Sequence, residues 1–393
     1  MLLNWLRRRR RQDEARRTHA AEGRSDPGMA RDTQEEGAIP RPEIWFFGGK
    51  GGVGKTSCAA AQALALAEKG EATLLVSTDP AHNLGDLFGA VGGKPCNIAP
   101  RLDVMELDPE RECDRYLEAV RQRIAPLVSG ERSATVMRQL ELSRHAPGTS
   151  EAALFDALVE IILTPPAPLE DEASHYRHIL FDTAPSGHTI RLLSLPEVLG
   201  GWLEGMLGQR RRAVAERSLW LDSQQASETP GGEAPEDPIS EALEQRRTRY
   251  AALRQRLSDT RRARVILVST PEKLPCLETT RTREALEAHG LAVGGLIINQ
   301  CLPEPAAQEA GKTLSATHEP QADWVATWRE QQQRWAARLE EAFADRPCLR
   351  LLRQPQLPED RASLAPLVVQ FTAFRPWSPV PTAPSCGFAA RAR

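Results

Sequence analysis

Apolar residues in this chain fall in short unbroken runs rather than in alternation with polar ones. Ile44-Trp45-Phe46-Phe47 is the first, and glycines end it. Ala72 to Ser77, Leu102 to Leu107, Ile179-Leu180-Phe181, Val265 to Val268, Leu296-Ile297-Ile298 and Leu349 to Leu352 follow. Such runs predict strands covered on both faces, as in parallel sheets. Between them the pattern turns helical; Ser57 to Lys69 predicts a helix stopped by Gly70. The expected fold class is α/β, with a doubly wound, mostly parallel sheet.

Two regions break this rhythm. Residues 110–165 and 197–260 read as helical, with no strand between their ends, and predict an inserted helical subdomain. Asp222 to Pro238 interrupts the second with five acids, no base and several Pro and Gly, which predicts a mobile acidic loop. Residues 1–40 read as a basic disordered tail and residues 375–393 as a Pro-rich one, leaving 41–374 as the folded domain. No internal repeat is present, so one nucleotide-binding unit is expected rather than a tandem pair.

Composition narrows the function. The 393 residues hold no run of about 18 apolar residues, which excludes a membrane-spanning helix. A net charge of −3 argues against a nucleic-acid binder, and no specific nucleic acid is expected. Seven cysteines without a CxxC pair exclude a disulfide scaffold and a zinc ribbon. Met1 to Leu6 precedes five arginines, Arg7 to Arg11, the reverse of a secretory leader. Trp5 and its leucines beside those arginines suit weak contact with an anionic membrane surface, so a cytoplasmic protein, peripheral at a membrane, is expected. Lysine is scarce: six against 44 arginines. Two of the six, Lys50 and Lys55, lie five residues apart in one Gly-rich segment.

That segment, Gly49-Lys50-Gly51-Gly52-Val53-Gly54-Lys55-Thr56, fits G-x-x-x-x-G-K-[ST], with a strand before it and a helix, opening on Ser57, after it. Glycines let the backbone curl so that successive N–H groups face phosphate oxygens. The following helix aims its N-terminus at the same anion. Lys55 then supplies charge at the β- and γ-phosphates and Thr56 a hydroxyl for Mg²⁺. Lys50 has no task in its own loop. Its expected use is to reach the nucleotide of a second copy, as an arginine finger does, which requires a face-to-face homodimer. Asp182, closing a buried run near the loop, is the expected Mg²⁺ partner. No Lys-x-Asp occurs, so a guanine-specific motif is absent and ATP is the expected nucleotide.

Three further segments complete a pattern. STDPAHN (77–83) follows the second run, FDTAPSGHTIRLL (181–193) a later one, and Pro271-Glu272 with Glu278-Thr279-Thr280-Arg281 leads to Ile298-Asn299-Gln300. With the two-lysine loop, residues 43–370 resemble the family of the arsenite-pump ATPase and the tail-anchored-protein-targeting ATPase, whose P-loop is the deviant Walker A type. The resemblance implies a P-loop NTPase fold and a homodimeric switch that hydrolyses Mg-ATP for a membrane partner. It implies that Asp79 polarises the attacking water and Asn83 supports that loop. It implies that Asp182 senses the γ-phosphate, that His188 transmits the state, and that Asn299 contacts adenine. An arsenite (anion) pump-driving ATPase is the nearest description. A tail-anchored membrane-protein targeting chaperone is the alternative, and a partition or positioning ATPase a second. The second draws on eight Arg against three acids in residues 1–24; DTAPSGHT stands against it. The cysteine expected of the arsenite pumps around Leu142 to Ala157 is missing, and Leu203 to Leu221, with one Met and a triple Arg, is a poor apolar groove.

Overall fold

The computed structural model describes residues 41–79, 83–89, 91–124, 137–138, 140–144, 146, 148–169, 175–183, 204–209, 212, 238–304 and 320–376. The chain divides into two units, residues 1–40 and 41–393, and every described residue belongs to the second. The basic tail, most of the acidic loop and residues 377–393 lie outside the described residues.

Among the described residues eight strands form one sheet: β1 (Glu43–Gly49), β2 (Thr73–Ser77), β3 (Cys96–Ala99), β4 (Leu102–Glu106), β5 (His178–Asp182), β6 (Ala263–Ser269), β7 (Val293–Cys301) and β8 (Cys348–Leu352). The order is β3-β4-β2-β5-β1-β6-β7-β8. All neighbours are parallel except β3 and β4. Helices are α1 (Lys55–Ala67), α2 (Asn83–Phe88), α3 (Pro109–Ile124), α4 (Thr149–Leu163), α5 (Pro238–Ser258), α6 (Lys273–Ala288), α7 (Pro320–Ala342) and α8 (Ala365–Phe371). None of the described helices is long and apolar enough to cross a membrane.

The apolar runs are strands because both faces are covered. Along β1, Ile44 and Phe46 join one buried cluster and Trp45 and Phe47 the other. Helices α4 to α7 supply the first cluster through Phe155, Leu158, Leu253, Leu286 and Leu339. Helices α1, α2 and α8 supply the second through Ala59 to Ala61, Leu84, Leu367 and Phe371. Burying each of the leucines and phenylalanines contributes about 1.5–3 kcal/mol. Eight of the 13 residues of helix α1 are alanine or leucine, so it lies close on the sheet beneath α8.

Several boundaries differ from the sequence pattern. The helix expected from Ser57 begins two residues earlier, at Lys55, because the loop's own lysine and threonine form its first turn. Strand β4 ends at Glu106, although the Leu107 N–H still donates to Ser77 O at 2.9 Å. Strand β3 had no apolar run to mark it; it is short, mixed in burial and antiparallel, as a sheet edge permits. Strand β7 starts three residues before its apolar core because Gly294 and Gly295 belong to it. A Cβ on Gly294 would meet the Arg264 side chain at 2.8 Å, and one on Gly295 would meet Phe374 at 2.9 Å.

The helical regions share the sheet's core. Helix α4 packs on α3 and on α5. Asp156 of α4 accepts hydrogen bonds from Arg246 (2.6 Å) and Tyr250 (2.8 Å) of α5, while Arg115 of α3 reaches Glu160 of α4 at 3.3 Å.

Candidate active site

The sheet order reverses at β1 and β5: the chain leaves β1 toward β2 on one side and reaches β6 on the other. Ligands of open parallel sheets bind beyond the carboxyl ends of strands at such a point. The loop Gly49–Thr56 leaves β1 here. Gly52 (φ 81°) and Gly54 (φ 88°) take the left-handed backbone that glycine tolerates, curling the loop back over the strand end. Gly54 is also pinned by space, since a Cβ there would fall 2.4 Å from Asn299 Nδ2. Val53 is buried beneath the loop and anchors it.

Lys55 is buried, and its Nζ donates to Lys50 O at 3.3 Å across the loop. Burial pushes its ammonium below the usual lysine value, while Asp182 and Asp79 pull it back up. Thr56 Oγ1 donates to Asp182 Oδ2 at 2.7 Å. Asp182 closes β5, lies opposite Phe47 of β1 and Ser77 of β2, and is fully buried. Its second oxygen, Oδ1, is buried with no hydrogen-bond partner. Burial pushes this carboxyl up to about 7, against the opposing pull of the Thr56 hydroxyl and of Lys55. A buried carboxylate oxygen without a donor, beside a threonine hydroxyl and a phosphate-type loop, suits a hard divalent cation with oxygen ligands. Mg²⁺ therefore fits the residues present, and Thr56 and Asp182 are the side chains that would hold it.

The remaining candidates surround this pair. Thr78 binds the same strand end: its N–H and Oγ1 both donate to Asp182 O, at 2.9 and 3.2 Å. Asp79 follows, half-buried, with its N–H donating to Ser77 Oγ at 3.2 Å. Asn83 opens α2, and its side chain lies outside the described residues, as do His82 and His188 entirely. Ser57 is half-buried in the first turn of α1. Asn299, at the end of β7, is buried, and its Nδ2 donates to Val53 O at 2.9 Å. Its Oδ1 accepts from the Gln300 N–H at 2.9 Å. In this structure Asn299 braces the phosphate loop. Lys50 is half-exposed, and its Nζ lies 3.7 Å from Glu278 Oε2 of α6. A pair this exposed contributes little to stability and is easily broken.

Two residues were given no role from the sequence. Thr183 Oγ1 donates to Phe47 O at 2.7 Å and ties β5 to the root of the loop. Glu106 ends β4 as Asp182 ends β5, but in sequence it lies inside the Leu102 to Leu107 run, so the strand-end signal that marked Asp182 was not visible there.

The anion-transporting ATPase family matches residues 42–358. The chain belongs to that family. A family member from Acidiphilium multivorum, an arsenical pump-driving ATPase, is 35 % identical over 317 residues, covering 80 % of this chain and 47 % of that protein. A putative arsenical pump-driving ATPase 2 of Aquifex aeolicus is 30 % identical over 306 residues, covering 77 % of this chain and 90 % of its own length. The ATPase GET3 of Malassezia globosa is 33 % identical over 271 residues, covering 67 % of this chain and 75 % of its own. The chain thus spans about half of the Acidiphilium relative, at 47 %, and nearly all of the Aquifex one.

The described cysteines are dispersed over the fold of this family member. Cys58 is in α1, Cys96 in β3, Cys113 in α3, Cys276 in α6, Cys301 in β7 and Cys348 in β8. Burial keeps Cys276 and Cys301 as thiols, each pushed up to about 11. Among the described residues no three His, Cys, Asp or Glu side chains gather as a metal site.

Proposed function

We propose that this chain is a Mg-ATP-hydrolysing switch that works as a homodimer and drives a membrane partner, most like an arsenite or related anion pump. The observation that carries the reading is the Thr56–Asp182 contact of 2.7 Å beside buried Lys55, under a loop of left-handed glycines. The loop's N–H groups and the N-terminus of α1 receive the phosphates. Lys55 offsets charge on the β- and γ-oxygens as it develops, a contribution made mostly in the transition state. Thr56 and Asp182 would hold Mg²⁺, which would supply neutralisation of the phosphate charge. Asp79, next to the Thr78 anchor, orients the attacking water. Lys50 leaves Glu278 and crosses to the nucleotide of the second copy. Asn299 contacts the adenine from the end of β7. The similarity to arsenical pump-driving ATPases favours the pump-driving role over the targeting role, and on that ground the partner is a membrane protein.

Asp79→Asn tests this reading. The amide keeps the size of the side chain and loses its basicity. The variant is expected to bind ATP normally, to hydrolyse it about 10²–10⁴-fold more slowly, as for loss of a general base, and to accumulate as an ATP-bound dimer in light scattering. Loss of ATP binding, or a monomer with ATP bound, contradicts the reading.

A further inference from the structure

Strand β7 carries an extra residue where it meets the phosphate loop. Ile298 lies opposite Arg350 of β8 and Cys301 opposite Leu352, so Asn299 and Gln300 together stand against the single residue Leu351. Gln300 takes φ 61°, the left-handed backbone that a residue with a Cβ rarely adopts. This bulge sets the direction of Asn299. Its Nδ2 reaches Val53 O of the phosphate loop at 2.9 Å, and its Oδ1 accepts the Gln300 N–H at 2.9 Å. A bulge leaves backbone groups out of the ladder, and here two of them meet one side chain. Gln332 of α7 is buried at 5 % exposure. Its Oε1 accepts the Leu302 N–H at 2.9 Å, and its Nε2 donates to Gln300 O at 3.4 Å. One amide thus spans the bulge, from the residue after the strand to the residue in the left-handed backbone.

We infer that Gln332 is the positioning residue for Asn299: its amide holds the Gln300 bulge in shape, and through the bulge it keeps the Asn299 side chain on the phosphate loop. This rests on the proposed reading in which Asn299 serves nucleotide binding. Gln332 occupies a core position of its helix, since Ala336 and Leu339 continue the same stripe at four and seven residues on, both buried. An amide placed there costs stability unless both its ends are hydrogen-bonded, and the bulge supplies both partners. Without Gln332, the Leu302 N–H and the Gln300 C=O lose that partner, and nothing offsets the strain of Gln300. The strand end then relaxes toward the regular ladder. Loss of a bulge changes the register by one residue, and such a change turns side chains to the opposite face of the sheet. Even part of that motion takes Asn299 Nδ2 off Val53 O. Neither of the two Gln332 hydrogen bonds goes to the phosphate loop, so its effect on nucleotide passes through Asn299.

The test uses the full chain with Gln332→Met, which keeps the length and volume of the side chain and removes both hydrogen bonds. Affinity for a fluorescent ADP should fall about 10-fold, the lower end of what loss of an orienting partner costs at metal sites. Asn299→Ala should lower it by at least as much. The double variant should bind within about 2-fold of Asn299→Ala alone, because the two side chains act on one contact. A glutamine with a merely structural role would not show this coupling; independent effects would multiply to about 100-fold, and that result overturns the inference. Hydrogen exchange at the Leu302 amide should be slow in wild type and fast in Gln332→Met. Should the methionine variant fail to fold, Gln332→Asn carries the same test, since its amide is one methylene too short to hold Gln300 O and the Leu302 N–H together. Wild-type ADP affinity in the variant, or a wild-type Leu302 amide that exchanges as fast as an exposed loop amide, overturns the inference alone. An Asn299→Ala chain that binds ADP as wild type does overturns the proposed role of Asn299, and the inference with it.

Discussion

Replacing Lys55 with alanine is expected to abolish ATP turnover. The side chain is buried, its Nζ lies across the loop on Lys50 O, and Asp182 and Asp79 both act on its charge. Removing one preorganised charge from the developing transition state costs about 10²–10³-fold, and a lysine facing two phosphates belongs at or beyond the upper end. Ground-state binding loses a charge-assisted contact as well, about 1.5–3 kcal/mol, so nucleotide affinity should fall roughly 10- to 100-fold. Phosphate release and a fluorescent-ADP titration measure the two effects separately. Normal turnover would remove the catalytic role from the loop.

Asp182→Asn carries the second large effect, and it acts on function and stability in opposite directions. Hydrolysis should be lost, because the amide cannot hold the cation. Stability should rise at alkaline pH. The sign follows from linkage: burial raises the folded-state value from 3.8 to about 7, so between those values the folded chain binds more protons than the unfolded one. Stability then falls as pH rises from about 4 to about 7 and stays low above it. The full difference would be about 4 kcal/mol at 1.36 kcal/mol per pH unit. Asparagine removes this cost but places an N–H₂ where Oδ1 has no partner, which returns about 1–3 kcal/mol. The net expectation is a variant about 1–3 kcal/mol more stable than wild type at pH 8, with the advantage gone at pH 4. Thermal melts at both pH values check it. A variant less stable than wild type at pH 8, or one that still turns over, contradicts the assignment.

How legible this was depended on how local each signal is. The strands were readable because Ile44 to Phe47, Leu74 to Val76 and Val265 to Val268 are buried on both faces and need no partner information to look buried. Strand β3 was not, since its pairing to β4 is all that makes it a strand. The early start of β7 was hidden because its two glycines are required by Arg264 and Phe374, which approach from other elements. The phosphate loop, Thr56 and Asp182 were found from spacing and from an acid at a strand end, and the fold brings them within hydrogen-bond distance. Glu106 lies in no motif and inside the run that extends to Leu107, and the Leu84 N–H that it accepts leaves no mark in sequence. Asn299 was expected at the base; its hold on Val53 O depends on how closely β7 approaches the loop, a property of the sheet order.

The central claim is that Gly49–Thr56 and Asp182 together turn over ATP with magnesium. Phosphate release by the purified full chain, in Mg²⁺ and after chelation with EDTA, addresses it most directly. Turnover that needs Mg²⁺ and disappears in both Lys55→Ala and Asp182→Asn is the predicted result. Turnover that survives chelation, or that either variant retains at the wild-type rate, would contradict it.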